Sequence, residues 1–578
     1  MIDALVLVPA PRRISRQAGA LALTKRRTLP KAAGPEVRVG AGPGLAAQGY
    51  RLVVTPSRVL IEAADAAGAF YAKATLEQVV RAAAPVGEIP AMTIEDAPDF
   101  AERGVMLDIS RDKVPTMATL LDAIDLLASL KVNRLQLYVE HTFAYREHPR
   151  VWRDASPLTG AEIERLDAYA RERHIELVPN QNSFGHMERW LRLPEYAPLA
   201  EVAEPSGDYM SLCPVDPRSI ELLAGLYDDY LPHFTSRSFN VGCDETIDLG
   251  KGRSAAEVAA RGVGGVYLDF LLKIHGLVAE RGRRMQFWGD IVLEHPELIR
   301  ELPGDAVALN WGYEADHPFA AEGERFAEAG LTYHVCPGTS TWLSLAGRTS
   351  NAIANLEGAA RAGRAHGAAG LLVTDWGDCG HWQPWPVSFL GLTYGAAMAW
   401  CAAANEGLDL TRALDLHVFR DEARVLGTIA RDLGDVHLET GVTPKNASVL
   451  AILLLFPDRA LGEGRLAGLS VEALERTLAS TERIVRPLAT AGSSRPDGRL
   501  IREEYGLAAS LVRLACRVGI ARLETPGGGF RTIPAAIRQA LSSDLEELIA
   551  DYRRIWLERN RPGGLDDSVG RLIKLRGV

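Results

Sequence analysis

Residues 238–245 read Ser238-Phe239-Asn240-Val241-Gly242-Cys243-Asp244-Glu245. The stretch begins as a short apolar run of strand length, passes through a glycine and ends in two adjacent acids. A longer amphipathic stretch follows it, which is typical of a strand that leads into a helix. These residues therefore predict one strand of a parallel sheet, with polar chemistry at its carboxyl end.

The same alternation recurs from Gly104 to about Trp400, with eight apolar runs in all. Seven further runs share this pattern, at residues 104–108, 135–139, 175–179, 284–288, 306–310, 332–336 and 370–374. Eight strands that alternate with helices predict a (β/α)8 TIM barrel. An open doubly wound sheet would fit the same alternation. The number of runs, and the polar or aromatic residues that follow nearly all of them, favour the barrel.

The residues before the barrel predict a small N-terminal α+β domain over residues 1–97. Runs at 50–54 and 59–62 flank a Pro56 turn and predict a hairpin, and residues 66–80 have helical spacing. The proline-containing stretch 89–100 is expected to resist both helix and sheet, because each proline restricts its own φ and that of the residue before it. We place the boundary to the barrel, residues 98–404, in this stretch.

The residues after the barrel, 405–578, predict a helical C-terminal region. The last helix is predicted to begin at a capping pattern, Ser543-x-x-Glu546, and to bury one face that runs from Leu545 to Trp556. Residues 559–564, which include Pro562 and Gly563, are interpreted chiefly as a helix stop, although they could also fold back to the mouth of the barrel or bridge to another subunit.

Composition limits the class of protein. The chain has 578 residues, of which 47% are hydrophobic and 24% charged, as in a globular protein with a large core. Its 64 Lys and Arg residues against 74 Asp and Glu residues give a formal net charge of -10. Nucleic acid is therefore not an expected partner, because phosphate binding needs a basic surface.

The six scattered cysteines and the N-terminus indicate the cellular compartment in which the protein is expected. The cysteines have no C-x-x-C spacing, which favours small buried residues of a reducing compartment. Asp3 stands where a signal peptide carries positive charge, and no apolar run approaches the roughly 20 residues that span a bilayer. We expect a cytoplasmic protein without a membrane partner.

In a barrel, residues that follow the strands meet at one mouth. The candidates of this kind are Arg103, Asp108, Arg111, Glu140, His141, Asn180, Asn182, His186, Asp244, Glu245, Trp288, Asp290, Trp311, Tyr313, Glu314, Trp342, Asp375, Trp376 and Asp378. Gly242 permits a bend that lets both neighbouring acids face one pocket. The alternative is that Asp244 and Glu245 only open the next helix. Tryptophans among carboxylates and amides suit a sugar, which has apolar faces and directional hydroxyls.

Metal binding is the rival interpretation of His141, His186 and the carboxylates. No H-E-x-x-H motif occurs, and the histidines follow different strands without ligand-like spacing. The G-x-S-x-G motif of serine hydrolases is also absent. We predict neither a metal nor another cofactor.

The chain resembles the family-20 glycoside hydrolases, which include β-N-acetylhexosaminidases. The resemblance covers most of the chain and rests on four segments, at residues 103–111, 182–186, 240–245 and 375–378. The second is similar to the family's D-x-P-G-H element and the last to its W-G-E element. The family's fold is the same barrel behind a small α/β domain.

The resemblance implies a retaining mechanism in which the substrate's own 2-acetamido group attacks the anomeric carbon. Glu245 would be the general acid and base, and Asp244 would orient the acetamide. Arg103 would hold ring hydroxyls and Asp378 would accept hydrogen bonds from the far hydroxyls. Tyr313 would donate a hydrogen bond to the acetamide oxygen, and His186 would contact the substrate. The walls of the pocket would be Trp288, Trp311, Trp342 and Trp376.

The sequence departs from the family pattern around His186. The family's H-x-H after the second strand is Gln136-Leu137-Tyr138, and its following aspartate falls near Glu140 and His141. Asn182 and Phe184 replace the aspartate and proline of D-x-P-G-H, and Cys243 replaces the second glycine of G-G-D-E. These changes leave the catalytic pair intact, but the partner of His186 and the sugar specificity stay open.

We therefore expect an exo-acting enzyme that releases terminal GlcNAc or GalNAc from a small oligosaccharide or glycoconjugate. Two alternatives remain: a non-catalytic glycan-binding protein on the same barrel, and a metal-dependent barrel hydrolase. The linkage, the preferred sugar, the acceptance of sulfated sugars and the oligomeric state, a homo-oligomer included, are left open.

Overall fold

The computed structural model describes residues 5–40, 44–203 and 210–576. Residues 1–4, which carried the argument against a signal peptide, lie outside the described residues. The six cysteines are all unpaired, and all but Cys379 are buried. The expectation that they are small buried residues is thus met at five of the six positions.

The N-terminal unit is a five-stranded sheet with one long helix on it. The strand order is β1-β5-β3-β4-β2. The bounds are β1 (Arg13–Ala22), β2 (Glu36–Val39), β3 (Tyr50–Val54), β4 (Val59–Ala63), α1 (Ala66–Ala83) and β5 (Glu88–Asp96). The predicted hairpin is present, with Val54 paired to Val59. Asp65 caps the predicted helix by accepting a hydrogen bond from the N–H of Gly68.

The expectation that residues 89–100 avoid sheet is wrong for residues 89–96 and holds for residues 97–100. Strand β5 pairs with both β1 and β3 and is therefore an inner strand of the sheet. Pro90 is tolerated because it lies opposite Ala20, next to the irregularity between Arg16 and Ala20 where the ladder is already interrupted. Strand β1 was not predicted, since its side chains are mostly exposed and its sequence has no regular apolar alternation.

Eight parallel strands form the barrel that the sequence predicts. Their bounds are β6 (Glu102–Asp108), β7 (Arg134–Tyr138), β8 (Glu176–Val178), β9 (Ser238–Asn240), β10 (Arg284–Trp288), β11 (Val307–Trp311), β12 (Thr332–Cys336) and β13 (Gly370–Asp375). Their order is β8-β7-β6-β13-β12-β11-β10-β9. A parallel bridge between Asn180 and Asn240 joins the two outer strands just beyond β8. The predicted fold class is confirmed.

Helices α2 to α11 connect and surround the barrel strands. Their bounds are α2 (Met117–Ser129), α3 (Pro149–Trp152), α4 (Gly160–Arg171), α5 (Glu188–Leu191), α6 (Pro217–Tyr230), α7 (Ala255–Glu280), α8 (Asp290–Glu294), α9 (Phe319–Glu328), α10 (Thr349–Ala365) and α11 (Phe389–Asn405). Two stretches, Ala255–Glu280 and Trp385–Asn405, are long and apolar enough to cross a membrane by composition alone. The expectation that no such stretch exists is therefore wrong. Trp385–Asn405 is 89% buried over its most apolar window, as in the core helix of a barrel.

A layer of amides fills the barrel below its mouth. Gln136 donates a hydrogen bond of 2.9 Å to Gln286, and its own oxygen accepts from Asn180 and from Asn240, both at 2.9 Å. Gln136 belongs to β7, Asn240 to β9 and Gln286 to β10. Asn180 follows β8 and forms the bridge with Asn240 that closes the sheet. Because Gln136 is hydrogen-bonded to all three of the other amides, the layer restrains the strands that end at the mouth relative to one another.

The C-terminal region is helical, as predicted. Its helices are α12 (Leu410–Ala413), α13 (Leu426–Asp435), α14 (Val449–Leu455), α15 (Val471–Val485), α16 (Gly498–Leu523), α17 (Ala535–Arg559) and α18 (Leu565–Ile573). Helix α17 begins eight residues before Ser543, so the predicted capping position is wrong. Ser543 lies inside the helix, where its hydroxyl donates to the carbonyl of Gln539 four residues earlier.

The segment after α17 does more than end a helix. Asn560 forms a bridge with Pro115, and the N–H of Arg561 donates to the carbonyl of Val114 at 2.8 Å. Gly564 has a φ of 75°, and a Cβ at this position would lie 1.8 Å from the carbonyl oxygen of Asp112. This close approach requires glycine. The segment therefore binds the C-terminal helices to the loop that follows β6.

Candidate active site

The loop after β9 brings two neighbouring acids to one pocket. Gly242, Cys243 and Glu245 have φ values of 71°, 71° and 47°, so the chain leaves the extended conformation at once. A Cβ on Gly242 would lie 2.0 Å from Oδ1 of Asn182, and this oxygen accepts from the N–H of Cys243 at 3.2 Å. The expected glycine bend is present, and Asp244 and Glu245 both line the pocket.

His186 lies between the two acids. Its Nε2 is 3.3 Å from Oδ2 of Asp244 and 3.3 Å from Oε2 of Glu245. Burial alone would lower the pKa of His186, but the two carboxylates outweigh it and raise the pKa well above the ordinary value. The imidazolium and Arg111 in turn outweigh burial at Asp244 and lower the pKa of that carboxyl.

The two acids have different surroundings. The Asp244 side chain is 8% exposed and the Glu245 side chain 35%. Oδ1 of Asp244 is buried and, among the described residues, accepts no hydrogen bond. An unpaired buried acceptor costs on the order of 1–3 kcal/mol, so this oxygen is ready for a donor from a ligand. Glu245, the more exposed acid, can exchange protons with solvent.

Asp290, the residue after the glycine that follows β10, holds the backbone of Glu245. Its Oδ2 accepts from the N–H of Glu245 at 3.1 Å, and its Oδ1 accepts from Nε1 of Trp311 at 3.3 Å. Burial, together with the nearby charge of Asp244, raises the pKa of Asp290 to about 8. Asp290 was among the candidates at the mouth, but no role had been predicted for it.

Aromatic side chains from four strand ends form the wall of the pocket. They are Trp288, Trp311, Tyr313, Trp342 and Trp376. The rings are in contact with one another, with centroids 5.2 Å apart for Trp311 and Tyr313 and 4.9 Å for Tyr313 and Trp342. Nε1 of Trp376 donates to the hydroxyl oxygen of Tyr313 at 2.7 Å, which leaves the tyrosine's own proton for another acceptor. Such a wall suits the apolar faces of a sugar ring.

The arginine of the pocket is Arg111, and the prediction for Arg103 is wrong. Arg103 is the second residue of β6, at the amino end of the barrel, and is 2% exposed. It donates to the carbonyls of Phe100 and Lys131, and its guanidinium lies over the ring of Trp400. Its donors are thus used between the barrel and the N-terminal sheet, far from the end at which sugar could enter.

Arg111 follows the carboxyl end of the same strand and lines the pocket. Its Nη1 lies 3.3 Å from Asp108 and its Nε 3.2 Å from Glu140. The guanidinium lies 5.1 Å from the ring centroid of Trp376. Position relative to the strand distinguishes the two arginines, since functional groups of a barrel follow its strands. Arg111 was among the candidates from the sequence, but the contact with the ring hydroxyls had been assigned to Arg103.

Nine of the ten predicted site residues meet in this pocket, and two further residues join them. The nine are His186, Asp244, Glu245, Trp288, Trp311, Tyr313, Trp342, Trp376 and Asp378. The additions are Arg111 and Asn446. Burial, despite the neighbouring Arg111, raises the pKa of Asp378 to about 6. Their individual roles stay predictions.

Asn446 comes from the C-terminal region and could not be found by a local pattern. Its Oδ1 accepts from Nε1 of Trp342 at 3.0 Å, and its N–H donates to Glu314 at 2.7 Å. These partners are 104 and 132 residues away in sequence. The C-terminal region therefore supplies part of the pocket.

Two groups of side chains have the ligand types that a metal ion uses. They are Glu140 with His186 and Glu188, and His186 with Asp244 and Glu245. Both groups need the single His186, so a cation at either of them would have to displace the proton that the two carboxylates favour on its imidazole. Burial raises the pKa of Glu140 to about 7 in spite of Arg111. His141 belongs to neither group; burial lowers its pKa to about 3, as expected for a packed neutral histidine.

The closed parallel barrel and its tryptophan-lined acidic pocket define the class of the protein as a TIM-barrel glycoside hydrolase. The chain belongs to glycosyl hydrolase family 20. The description "Glycosyl hydrolase family 20, catalytic domain" matches residues 100–388, half of the chain, and "Glycosyl hydrolase family 20, domain 2" matches residues 28–97. Both parts of the predicted resemblance are confirmed.

The chain is similar to several characterised proteins. It is 27% identical to the beta-hexosaminidase of Akkermansia muciniphila over 44% of this chain and 58% of that protein. It is 26% identical to the hexosaminidase D of Bos taurus over 40% of this chain and 69% of that protein. For the beta-N-acetylhexosaminidase of Cellulomonas fimi the identity is 26%, over 52% of this chain and 60% of that protein. Two of these three matches thus span less than two thirds of the relative.

Solved structures share the fold. The Flavobacterium johnsoniae chitobiase superposes with a TM-score of 0.58 at 17% identity and covers 98% of this chain and 99% of its own. The GH20 exo beta-N-acetylglucosaminidase of Vibrio harveyi superposes with a TM-score of 0.56 at 18% identity, over 71% of this chain and 76% of its own. At these identities the likeness establishes the fold alone.

Proposed function

We propose that the protein is an exo-acting β-N-acetylhexosaminidase that releases terminal GlcNAc or GalNAc with retention of configuration. The observation that carries the proposal is the buried Oδ1 of Asp244, to which no described residue donates a hydrogen bond, in a pocket that also contains Glu245 and Tyr313. An acceptor and a donor of this kind match the N–H and the C=O of an acetamide. The names of the relatives in family 20 support the same activity.

In the first step the acetamide is the nucleophile. Asp244 accepts a hydrogen bond from the acetamide N–H, and Tyr313 donates one to the carbonyl oxygen and holds it under the anomeric carbon. The carbonyl oxygen forms a bond to this carbon as the glycosidic bond breaks, and Glu245 gives its proton to the departing oxygen. The positive charge on the resulting oxazolinium ring is stabilised by ionised Asp244.

In the second step Glu245, now a carboxylate, takes a proton from a water molecule. The water oxygen bonds to the anomeric carbon, the bond to the acetamide oxygen breaks, and the acetamide is restored. Two displacements on opposite faces give net retention. The different environments of Asp244 and Glu245 support this division, because the ionised acid is buried beside an imidazolium and the proton donor is more exposed.

The rest of the pocket orients the sugar. Arg111 replaces Arg103 in the proposed contact with ring hydroxyls, and Asp378 accepts hydrogen bonds from the far hydroxyls. Both side chains are partly buried and lie at the pocket wall, and the Arg111 guanidinium lies beside Trp376. His186 holds the two acids in place through its Nε2.

The test is a pair of conservative substitutions assayed on an aryl N-acetyl-β-glucosaminide. Glu245→Gln and Asp244→Asn should each lower the release of the aryl group by at least about a hundredfold. The matching aryl glucoside, which has no acetamide, should be a poor substrate of the unchanged protein. Efficient cleavage of the glucoside would contradict the proposal.

The two alternatives make different predictions. A non-catalytic glycan-binding protein would bind the N-acetylglucosaminide without releasing the aryl group. A metal-dependent hydrolase on the Glu140, His186 and Glu188 group would lose activity on chelation and regain it with a divalent cation. The proposed mechanism predicts no effect of a chelator.

A further inference from the structure

One side chain of the active-site pocket comes from outside the segments that match family 20. Those segments end at residue 388, whereas Asn446 belongs to the C-terminal region. It lies in a short stretch, residues 445–448, that is bonded to the loops after β11 and β12. The family resemblance assigns no role to Asn446, although it lines the pocket together with the two acids.

Several contacts hold Asn446 at one place in the pocket wall. Its N–H donates to Oε1 of Glu314 at 2.7 Å, and Arg348 donates to the same oxygen from Nη1 and Nη2. Two residues further on, the N–H of Ser448 donates to the carbonyl of Leu343 at 2.8 Å. Asn446 has a φ of 53°, a left-handed conformation that asparagine adopts more readily than most residues. The position of this side chain is therefore fixed from both sides in sequence.

The orientation of the Asn446 amide follows from its partner. Nε1 of Trp342 lies 3.0 Å from the amide and can only donate, so the atom that it faces is the oxygen, Oδ1. The nitrogen Nδ2, with two N–H groups, is left over. No described residue accepts a hydrogen bond from Nδ2, since the bonds of Asn446 involve its Oδ1 and its backbone N–H. The pocket wall thus contains an amide donor that a ligand can use.

Asn446 lies across the pocket from the two acids. In the ring of eight barrel strands β9 and β13 are opposite each other, and β12 is next to β13. Asp244 and Glu245 follow β9, whereas Asp378 follows β13 and Trp342, the partner of Asn446, follows β12. The proposed function, on which this inference rests, places C2 and C1 of the sugar at the two acids. The hydroxyls of C4 and C6, at the other edge of the ring, then lie on the side of Asp378 and Asn446.

This side of the pocket needs a donor as well as an acceptor. A sugar hydroxyl donates one hydrogen bond and also accepts, whereas an ionised Asp378 can only accept. Nε1 of Trp311 and Nε1 of Trp376 are already bonded within the protein. Asn446 supplies the missing donor, and it does so without a charge that would have to be removed from water.

We propose that Asn446 is a specificity-determining residue whose Nδ2 donates a hydrogen bond to the C4 or the C6 hydroxyl of the terminal sugar. Asp378 accepts the proton of the same hydroxyl. If the hydroxyl is that of C4, Asn446 also sets the preference between GlcNAc and GalNAc, because these sugars differ only in the configuration at C4. The C-terminal region thereby takes part in substrate recognition.

The experiment compares para-nitrophenyl N-acetyl-β-glucosaminide with its 3-deoxy, 4-deoxy and 6-deoxy forms. Asn446→Gly removes the donor and keeps a residue that adopts the left-handed backbone without strain. We expect kcat/KM for the parent and the 3-deoxy sugar to fall by about fivefold to tenfold. For either the 4-deoxy or the 6-deoxy sugar, the one that lacks the bonded hydroxyl, kcat/KM should change by less than about twofold. That sugar identifies the hydroxyl.

A second variant separates the contact with the sugar from the contact with Trp342. Asn446→Asp keeps an acceptor for Nε1 of Trp342 but has no donor, so it should repeat the pattern of Asn446→Gly across the four sugars. The control is Lys445→Gln, which makes the same change of one charge unit at the neighbouring exposed residue. It should leave the ratios of kcat/KM among the four sugars unchanged.

Three results would overturn the inference: no loss of kcat/KM on the parent sugar, an equal loss on all four sugars, or a loss that only the 3-deoxy sugar removes. An equal loss is what a purely structural role of Asn446 predicts. Failure of the proposed function would look different, because the unchanged protein would then not hydrolyse the parent sugar at all.

Discussion

The N–H of Glu245 donates a hydrogen bond to Oδ2 of Asp290 at 3.1 Å, across 45 residues of sequence. Glu245 has a φ of 47°, a conformation that a residue with a side chain adopts only when its surroundings impose it. The bond to Asp290 is one such restraint, since the same carboxyl group is itself held by a hydrogen bond of 3.3 Å from Nε1 of Trp311. Asp290 thus positions the proposed acid and base through its backbone.

Replacement of Asp290 tests this positioning. Asp290→Asn keeps the size of the side chain, but its amide has a single acceptor oxygen. The variant therefore cannot accept hydrogen bonds on two atoms, one from the N–H of Glu245 and one from Nε1 of Trp311. We expect kcat to fall by about tenfold with a smaller change in KM, because a misplaced acid weakens the transition state more than substrate binding. Asp316→Asn, at an exposed position of the loop after β11, is the matched control and should leave kcat unchanged. An unaltered kcat in Asp290→Asn would show that Asp290 does not position Glu245.

The same variant has an expected pH dependence of stability. Burial raises the pKa of Asp290 in the folded protein to about 8, whereas the pKa of an aspartate in the unfolded chain is about 4. Between these values the folded state holds more protons than the unfolded state, so this group lowers stability as pH rises. The Tm advantage of the unchanged protein over Asp290→Asn should therefore shrink from pH 5 to pH 8 and then stay level. A gap that is constant with pH would contradict the raised pKa.

The barrel strands were predictable because parallel strands buried on both faces are continuous apolar runs. The start of α17 at Ala535 was not, since Ser543 carries a capping pattern that its position inside the helix overrides. Strand β5 was missed for a similar reason: Pro90 disfavours sheet locally, but an irregularity in the neighbouring strand accommodates it.

Most of the candidate site was also predictable, because side chains that follow barrel strands meet at one mouth. The error at Arg103 came from family resemblance, in which two arginines eight residues apart occupy one motif. Only their positions at opposite ends of β6 separate them. The contribution of Asn446 depends on contacts of the C-terminal region across more than 100 residues, for which the sequence has no local signal.

The two arginines can be separated by matched substitutions. Arg103→Lys should lower Tm, since lysine cannot replace the contacts of this guanidinium with the carbonyls of Phe100 and Lys131, and should leave KM unchanged. Arg111→Lys should lower kcat/KM by about a hundredfold. The ammonium group of lysine lacks the fixed set of donors with which the guanidinium can contact both the neighbouring carboxylates and the sugar hydroxyls. Thermal melting and steady-state kinetics on the same samples decide between them. The reverse pattern would restore Arg103 to the site.

Removal of one hydroxyl tests the contact with the acetamide oxygen. Tyr313→Phe should lower kcat by about a hundredfold, because the acetamide oxygen is then no longer held under the anomeric carbon. Tyr333→Phe is the matched control, because the hydroxyl of Tyr333 is buried and has no hydrogen-bond partner among the described residues. Equal rates in the two variants would exclude the proposed role of Tyr313.

The central claim, that the substrate's acetamide is the nucleophile, is tested most directly by changing the acetamide itself. Aryl glycosides with N-acetyl, N-fluoroacetyl, N-difluoroacetyl and N-trifluoroacetyl groups keep the shape of the sugar, but each fluorine withdraws electrons from the carbonyl oxygen. The account predicts that log kcat/KM falls steadily along this series, by orders of magnitude in total. Equal kcat/KM values for all four substrates would contradict it.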